Sequence, residues 1–271
     1  MIDIENKYRE LEDLVLEFKR LEIDKEIDYG KFYLYSIISH STQIEGSTLS
    51  ELDTQLLFDD GITSSGQPII FHLMNLDLKK AYDYAITLSV MKREITIDLI
   101  KKFSALLMQR TGAIHNSISG TWDSSKGDFR LHGVTAGFGG RSYLNFNKVP
   151  DAMNEFVKKV VEDNKKVKSI RDGYELSFNA HLDLLTIHPF GDGNGRVARL
   201  LMNYIQLYHN LIPTRLKVEE KKLYIETLKE AQENKNVIPY QKFMVGQQIE
   251  TIKQEIKQFK KDRSKGMNFS L

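Results

Sequence analysis

The sequence predicts a mainly α-helical fold, built as a single domain that carries one small β-hairpin. Apolar residues recur at helical spacing along most of the chain, and only 5 prolines interrupt its 271 residues. One glycine-rich stretch, residues 111–149, loses the helical period, and β-branched and aromatic residues alternate there with glycines. With 41% apolar and 28% charged residues, a chain of this length can bury a full core as ordinary globular proteins do.

The first part of the chain predicts three helices with recognisable starts and ends. Residues 8–23 place an apolar stripe among Glu and Lys, which is typical of an amphipathic helix. Residues 32–44 form a second helical run that ends at Gly46, a residue suited to a left-handed cap. Residues 48–51, Thr-Leu-Ser-Glu, predict a capping box for the third helix, which Gly61 closes.

The middle of the chain predicts two further helices and then the hairpin. The helices cover residues 71–90 and 96–110, and the first is rich in Leu, Ala and Tyr, which predicts burial. Residues 129–134 and 141–146 are predicted to be two extended arms joined across residues 136–140. Because an isolated hairpin is only marginally stable, we expect it to pack on the helical body.

The last part of the chain predicts a helix that starts at Pro150 and covers residues 151–165. Two helices flank residues 187–199, and two more cover residues 219–233 and 240–261. The last helix carries an apolar stripe at a/d spacing. This stripe either packs on the body or forms a coiled-coil-like contact with a partner.

Charge and composition exclude several classes of function. Lys+Arg 38 against Asp+Glu 37 leaves a net charge of +1, so no overall field draws the chain to nucleic acid or to an anionic membrane. A chain without cysteine has no disulfide, no thiolate catalysis and no cysteine-ligated metal. The first residues lack the basic and apolar regions of a secretory signal, and no apolar run is long enough to span a bilayer. We therefore expect a cytoplasmic protein that binds neither nucleic acid nor membrane.

Residues 188–199, His-Pro-Phe-Gly-Asp-Gly-Asn-Gly-Arg-Val-Ala-Arg, combine a turn with the start of a helix. Glycines at a helix N-terminus let backbone N–H groups approach an anion. Arg196 and Arg199 lie on one face of that helix, so the run suits a polyphosphate. His188 and Asp192 add a proton acceptor and a ligand for a hard cation. The run is not a Walker A loop, and no strand precedes it as in a Rossmann fingerprint.

At every fixed position this run resembles the motif of the Fic-domain family, His-Pro-Phe-x-Asp/Glu-Gly-Asn-Gly-Arg-x-x-Arg. The resemblance continues, more loosely, from about residue 45 to about residue 244. Members of that family mostly transfer AMP from ATP to a protein hydroxyl, and a few transfer other phosphate-containing groups. The resemblance therefore implies a helical Fic-type domain with a β-hairpin flap beside its active site.

The resemblance also divides the chain. We expect one Fic-type domain over residues 1–271, in which residues 96–244 form the Fic core. N-terminal helices over residues 8–60 would include an inhibitory segment at residues 41–46, and a C-terminal helix and tail would cover residues 245–271.

The resemblance assigns a role to most residues of the motif. His188 is the expected catalytic base, and Asp192 is the expected ligand of Mg²⁺ bridging the phosphates. Arg196 would bind the β-phosphate of ATP and Arg199 the γ-phosphate. Three residues would present donors to the α- and β-phosphates: Gly193, Asn194 and Gly195.

Two further stretches resemble parts of the family. Residues 41–46, Ser-Thr-Gln-Ile-Glu-Gly, match its inhibitory motif Ser/Thr-x-x-x-Glu-Gly/Asn. Ser41, Glu45 and Gly46 are the inhibitory residues that it implies, and a Glu45 carboxylate paired with Arg199 would occupy the guanidinium that the γ-phosphate needs.

The second stretch is the flap. Residues 127–130 and the arm at residues 141–146 resemble the hairpin that holds a target segment by strand addition. The residues expected to dock the target are Arg141, Ser142, Tyr143 and Leu144. The alternative is a hairpin that only covers the core.

Together these features predict a protein adenylyltransferase that uses ATP and Mg²⁺ and is autoinhibited by Glu45. Its partner would be a target protein with a Ser, Thr or Tyr hydroxyl, including the chain itself, and a homodimer stays open. Two alternatives remain: a deAMPylase or another Fic-type phosphate or nucleotide transferase, and a non-enzymatic interaction protein of the toxin–antitoxin kind.

Overall fold

The structure is a computed structural model and describes residues 2–136 and 140–266. This part of the chain contains ten α-helices and one two-stranded antiparallel sheet. The helices are α1 (Ile2–Arg20), α2 (Tyr29–Ile44), α3 (Glu51–Asp59), α4 (Ile69–Val90), α5 (Ile97–Leu107), α6 (Val149–Asn164), α7 (Ile170–Ile187), α8 (Asn194–Tyr208), α9 (Lys221–Glu233) and α10 (Ile238–Gly266). The strands are β1 (Ile114–Ser117) and β2 (Gly120–Asp123). The prediction of a mainly α-helical fold is confirmed.

Every helix predicted from apolar periodicity is present, although α1 begins earlier and α10 ends later than predicted. At the start of α7, Ser169 forms a capping box with Asp172. The predicted capping box over residues 48–51 is wrong in its members, because Ser50 and Asp53 form it. Thr48 and Glu51 have the required spacing of three residues, but the helix begins at Glu51, so Ser50 is the N-cap and Asp53 is the third helical residue.

The glycine-rich stretch holds two antiparallel pairings. The regular one joins β1 to β2, with Ile114 opposite Asp123 and Ser117 opposite Gly120. The sequence analysis did not predict these two strands.

The predicted arms also pair, but over fewer residues than the ranges 129–134 and 141–146 that were expected. Thr135 and Ser142 form an isolated antiparallel bridge. Backbone hydrogen bonds flank that bridge, from the N–H of Ala136 to the carbonyl of Arg141 at 2.9 Å and from the N–H of Tyr143 to the carbonyl of Val134 at 3.0 Å. The turn predicted between the arms falls on residues 137–139, which lie outside the described residues.

The chain divides into two compact units with the bounds Met1–Ile37 plus Thr214–Leu271, and Ile38–Pro213. In the first unit α1 packs against α10, and α9 also packs against α10. Ion pairs follow the same order along α1 and α10, so the two helices run parallel: Asp3 with Lys242, Glu10 with Lys253, and Glu17 with Lys260. The apolar stripe of α10 is buried, so packing within this unit accounts for it.

The second unit is organised around α7 and α8, which pack against each other on either side of the turn at residues 188–193. Helices α4 and α5 pack on α8, and α6 packs on α7. Aromatic and aliphatic side chains of both central helices are fully buried, including Tyr174, Phe178, Leu200 and Tyr204. This core holds both ends of the turn in place.

No described helix combines the length and the apolarity that crossing a membrane would require.

A buried carboxylate ties α4 to the end of α5. Asp77 is 0% exposed, and it accepts hydrogen bonds from the Arg110 guanidinium at 2.5 Å and from the Arg110 backbone N–H at 2.7 Å. The guanidinium itself reaches solvent, with its side chain 42% exposed. Removal of the arginine side chain therefore leaves a buried charge with only one partner.

We expect Arg110→Ala to lower the free energy of unfolding by about 3 kcal/mol, because a buried carboxylate that loses its cation is not compensated by solvent. The matched control is Lys79→Ala, which removes the solvent-exposed ion pair with Asp83 and should cost less than about 0.5 kcal/mol. Urea denaturation followed by circular dichroism measures both. Equal losses in the two variants would contradict the prediction.

Candidate active site

The turn between α7 and α8 has a left-handed residue at each end. His188 closes α7 with φ 53°, and its N–H donates to the Leu184 carbonyl. Gly193, with φ 77°, precedes the first residue of α8. Because the first N–H groups of a helix have no partner inside it, the backbone at the start of α8 presents donors toward the turn.

The side chain of Asn194 clasps this turn. Its Oδ1 accepts a hydrogen bond from the Phe190 N–H at 3.0 Å, and its Nδ2 donates to the Phe190 carbonyl at 2.8 Å. Both residues are buried, and the Phe190 ring is part of the core. The side chain of Asn194 is thus committed to the turn, and its backbone N–H is the group left for a phosphate.

Two arginines one turn inside α8 are buried, with Arg196 and Arg199 each 3% exposed. Arg196 contacts the sulfur of Met108 through one terminal nitrogen, and its Nε and its other terminal nitrogen have no hydrogen-bond partner in the described structure. Burial lowers the pKa of this guanidinium, although not enough to discharge an arginine. A buried cation with unused donors is costly, so the site favours an anion that brings acceptors.

Arg199 has a full set of partners. Its Nε donates to the Ser41 hydroxyl at 2.8 Å, and one terminal nitrogen donates to the Ser41 carbonyl at 3.0 Å and to Glu45 Oε1 at 2.6 Å. Gly195 makes room for that carboxylate, since a Cβ at this position would lie 2.3 Å from Glu45 Oε1. The Glu45 side chain is one-third exposed. The structure therefore brings the predicted inhibitory residues to the predicted phosphate site.

His188 is largely buried under the flap arm. The Tyr143 ring is stacked on the imidazole, with 3.9 Å between centroids and 19° between planes. Burial, and then the positive charge of Arg130, lower the pKa of His188 to about 4, while the Leu185 backbone, Glu45 and Asp192 act in the opposite direction. The imidazole is therefore neutral at physiological pH and able to accept a proton.

Arg130 connects the flap to the turn, which the sequence analysis did not foresee. It is 0% exposed, and its guanidinium donates to three carbonyls: His188 at 2.8 Å, His132 at 2.8 Å and Leu144 at 2.6 Å. Its backbone N–H donates to the Pro189 carbonyl at 3.0 Å. These bonds use carbonyls on both arms, which explains why the arms pair over so few residues.

Two apolar or aromatic side chains also support the site without any sequence signal. Met108 lies against Arg196, and a Cβ at Gly193 would lie 2.9–3.0 Å from the Leu107 and Met108 side chains. Trp122 backs the turn at Gly191, where its Nε1 lies 3.2 Å from the position of an added Cβ. At Gly193 the positive φ favours glycine, and at Gly191 a side chain would require Trp122 to shift slightly.

The fit of this site to a magnesium ion depends on Asp192. Its side chain is 72% exposed, and one carboxylate oxygen accepts from the Gly193 N–H at 2.6 Å while the other lies 3.8 Å from Arg196. Across residues 2–136 and 140–266, no group of three or more His, Cys, Asp or Glu side chains is arranged to hold a metal. One exposed carboxylate suits Mg²⁺ bound mainly by phosphate oxygens and water, so the donor set fits that ion.

Comparisons with known proteins agree with this geometry. A family model described as the Fic/DOC family matches residues 94–206. Residues 94–206 are a Fic domain. The protein adenylyltransferase fic-1 of Caenorhabditis elegans is 29% identical over 229 residues, which cover 81% of this chain and 41% of that protein. The chain spans less than half the length of the curated relatives that it matches.

Solved structures share the fold of this chain. Fic-1 from C. elegans, solved as a segment, aligns with a TM-score of 0.79 at 24% identity, over 96% of this chain and 74% of that one. A Fic domain containing signaling protein from Bacteroides thetaiotaomicron aligns with a TM-score of 0.72 at 20% identity, over 95% of this chain and 97% of that one. At these identities the likeness concerns the fold alone.

The Fic domain and the segment before it gather most of the predicted site residues in one place. His188, Arg196 and Arg199 lie beside the turn, and Glu45 reaches them from the end of α2. The third residue predicted to be inhibitory, Gly46, follows that helix with φ 101°, and a Cβ at this position would have nothing within 4 Å.

The four predicted flap residues have different surroundings. The Arg141 guanidinium lies 5.3 Å from the centroid of the Tyr143 ring, and that ring lies on His188. Ser142 forms the bridge to Thr135, and Leu144 contributes its carbonyl to Arg130. Of the four, Tyr143 contacts a motif side chain directly, through the stack of its ring on His188.

We expect Asn194→Ala to loosen the turn of the Fic domain, because two hydrogen bonds to Phe190 are lost and its buried backbone groups keep no partner. The free energy of unfolding should fall by about 2 kcal/mol, and the Phe190 amide should exchange faster with deuterium. Asn116→Ala, at an exposed hydrogen bond with Thr121, serves as the control. Unchanged protection of the Phe190 amide would contradict the role of the clasp.

Proposed function

We propose that this chain transfers AMP from ATP to a hydroxyl side chain of a target protein and of itself, and that Glu45 holds the transfer in check. The observation that carries the proposal is the state of the two buried arginines. Arg199 is paired with a carboxylate, whereas Arg196 keeps unused donors. Relatives named protein adenylyltransferase support this reading.

The binding step uses the start of α8. The backbone N–H groups of Gly193, Asn194 and Gly195 lie where the helix dipole favours negative charge, and they would bind the α- and β-phosphates, the Gly193 N–H by exchanging its bond to Asp192 for one to a phosphate oxygen. Arg196 would satisfy its unused donors on the β-phosphate, and Arg199 would bind the γ-phosphate. Mg²⁺ held by Asp192 would neutralise charge on the phosphates when bound.

The transfer step needs a base next to the attacking hydroxyl. The neutral His188 imidazole would take the hydroxyl proton as the oxygen forms its bond to the α-phosphorus. The bond from that phosphorus to the bridging oxygen breaks, and pyrophosphate leaves. The N–H donors and Arg196 stabilise charge that develops on the leaving group, and they need no reorganisation because the turn already fixes them.

Inhibition follows from competition for one guanidinium. Glu45 Oε1 lies 2.6 Å from Arg199, and its carboxylate fills the space that Gly195 leaves open. A γ-phosphate at Arg199 would meet this negative charge at close range. ATP then binds either weakly or in a position that does not align the α-phosphorus, and the transfer rate falls.

The flap supports a target bound as an extended segment. Ser142 is exposed and forms a short antiparallel bridge with Thr135, so an extended target segment would add as a further strand at this edge of the flap. The homodimer and the cytoplasmic location stay predictions of the sequence.

We expect Glu45→Gly to raise incorporation of labelled AMP at least tenfold, since it frees Arg199 for the γ-phosphate. Adding His188→Ala to that background should abolish incorporation. The control is Glu94→Gly, an exposed and non-helical glutamate, which should match the wild type. Mass spectrometry after incubation with ATP and Mg²⁺ distinguishes the outcomes. An AMP adduct supports the proposal, a phosphate adduct assigns a phosphotransferase instead, and no adduct in Glu45→Gly contradicts enzymatic function.

The low pKa of His188 predicts an unusual pH profile. Because burial holds this pKa at about 4 rather than the ordinary 6.5, the imidazole stays in its base form as the pH falls below neutrality. In the Glu45→Gly protein, we expect transfer to stay level from about pH 8 to about pH 5. Removing Glu45 lowers the pKa of His188 further, since its negative charge raises it.

The lowered pKa of His188 also makes the free energy of unfolding depend on pH. The unfolded chain binds a proton on His188 near pH 6.5 and the folded chain only near 4, so the fold loses stability as the pH falls through that interval. Transfer should therefore be compared only at pH values where circular dichroism shows a folded protein. A half-maximal rate near pH 6.5 would contradict the assignment of a buried, neutral base.

A further inference from the structure

The stack of Tyr143 on His188 has a geometry that bears on the orientation of the base. The ring planes are inclined by only 19° and the centroids are 3.9 Å apart, so the phenol covers one face of the imidazole. Both nitrogens of an imidazole lie in its ring plane. A stack on the face does not cover the ring edge, and because Nδ1 is buried, Nε2 is the nitrogen that would reach an incoming hydroxyl. The stack also restricts the tilt of the ring.

Arg130 fixes the separation of the two backbones that carry these rings. Its guanidinium donates to the carbonyl of His188 itself and to the carbonyl of Leu144, the residue after Tyr143. A guanidinium is planar and presents its donors in a rigid fork, so the two carbonyls are held at a set distance. Because Arg130 is fully buried, water does not compete for these bonds.

We propose that Tyr143 is a positioning residue that holds the His188 imidazole in one orientation for proton transfer, and that Arg130 sets the stack. The inference rests on the proposed function, in which His188 is the base. It assigns to Tyr143 a role different from the target docking expected from the sequence. If Tyr143 served only in target docking, loss of its ring would change only how the acceptor binds.

The surroundings of His188 define what a change at Tyr143 would alter. The charged groups that act on the imidazole are Arg130 from the flap arm, Glu45 from the end of α2 and Asp192 from the turn. A fourth charge, the Arg141 guanidinium, lies 5.3 Å from the centroid of the Tyr143 ring and loses that contact when the ring is removed. Loss of the ring also exposes the imidazole to water and leaves its tilt unrestricted. Arg141→Ala, which removes the charge and keeps the stack, separates the two effects.

The experiment uses the full chain with Glu45→Gly and compares Tyr143→Phe with Tyr143→Ala. Phenylalanine keeps the stacked ring and removes only the hydroxyl, whereas alanine removes the stack. Tyr84→Ala is the control for loss of a half-buried aromatic elsewhere, since Tyr84 packs edgewise on Phe103. Thermal melts confirm that each variant is folded.

The first readout is the pKa of His188, measured by NMR titration of the protein without nucleotide and assigned with a His188→Ala spectrum. We expect Tyr143→Phe to keep the low pKa and Tyr143→Ala to raise it by about one unit toward 6.5, because water then reaches the ring. An unchanged pKa in Tyr143→Ala would overturn the inference.

The second readout is self-AMPylation at saturating ATP across the pH range. We expect Tyr143→Ala to lose roughly ten- to a hundredfold in rate through misorientation of the base, and its rate to fall with acid at a higher pH than in the parent. Tyr143→Phe should retain both the rate and the profile. If Tyr143→Phe and Tyr143→Ala lost equal amounts of rate, the Tyr143 hydroxyl and not the stacked ring would be the important group. That result would also overturn the inference.

The two proposals fail in different ways. If no variant with Glu45→Gly takes up AMP, the proposed function is wrong, while the NMR titration still decides whether Tyr143 shields the imidazole. If the parent is active and Tyr143→Ala changes only the concentration of acceptor needed, Tyr143 is a docking residue and the positioning role is wrong.

Discussion

The clasp between Asn194 and Phe190 is the interaction on which the site depends. Two hydrogen bonds from one buried amide close the turn between α7 and α8, and the Phe190 ring anchors that turn in the core. The clasp sets where α7 ends at His188 and where α8 begins. His188 then lies at the end of α7 and backbone N–H donors lie at the start of α8, on either side of a single turn.

The second constraint is the burial of Arg196 and Arg199. Two cations removed from water require anions or acceptors. Arg199 has a carboxylate at 2.6 Å, whereas Arg196 has the Met108 sulfur and a carboxylate oxygen of Asp192 at 3.8 Å, and its Nε and one terminal nitrogen have no hydrogen-bond partner in the described structure. Glu45 provides a carboxylate to Arg199 in the same place where a phosphate would bring negative charge. In the proposed function, inhibition and substrate binding are therefore two ways of placing a negative charge beside Arg199. Glycine at position 195 lets the carboxylate lie there, since a Cβ would be 2.3 Å from the present position of Glu45 Oε1.

The flap acts on the same turn from the other side. Arg130 donates hydrogen bonds to carbonyls of the turn and of both arms. The Tyr143 ring, next to one of those carbonyls, is stacked on His188. Burial is the main cause of the low pKa of His188, and the positive charge of Arg130 lowers it further. The same residues thus limit the length of the hairpin ladder and keep the imidazole neutral.

The sequence by itself determined the helices, the turn and the identity of the residues beside it. Apolar periodicity located each helix, and the run from His188 to Arg199 named the groups at the turn, because both are local patterns along the chain. Strands β1 and β2 escaped prediction, since each is four residues long and the β1 sequence Ile-His-Asn-Ser has no clear alternation. Only the tertiary structure decided that Glu45 reaches Arg199, that Tyr143 lies on His188 and that Arg130 joins turn to flap. Those contacts link residues far apart in the chain. They depend on how the helices pack and on which buried donors find acceptors, and a local sequence pattern contains neither kind of information.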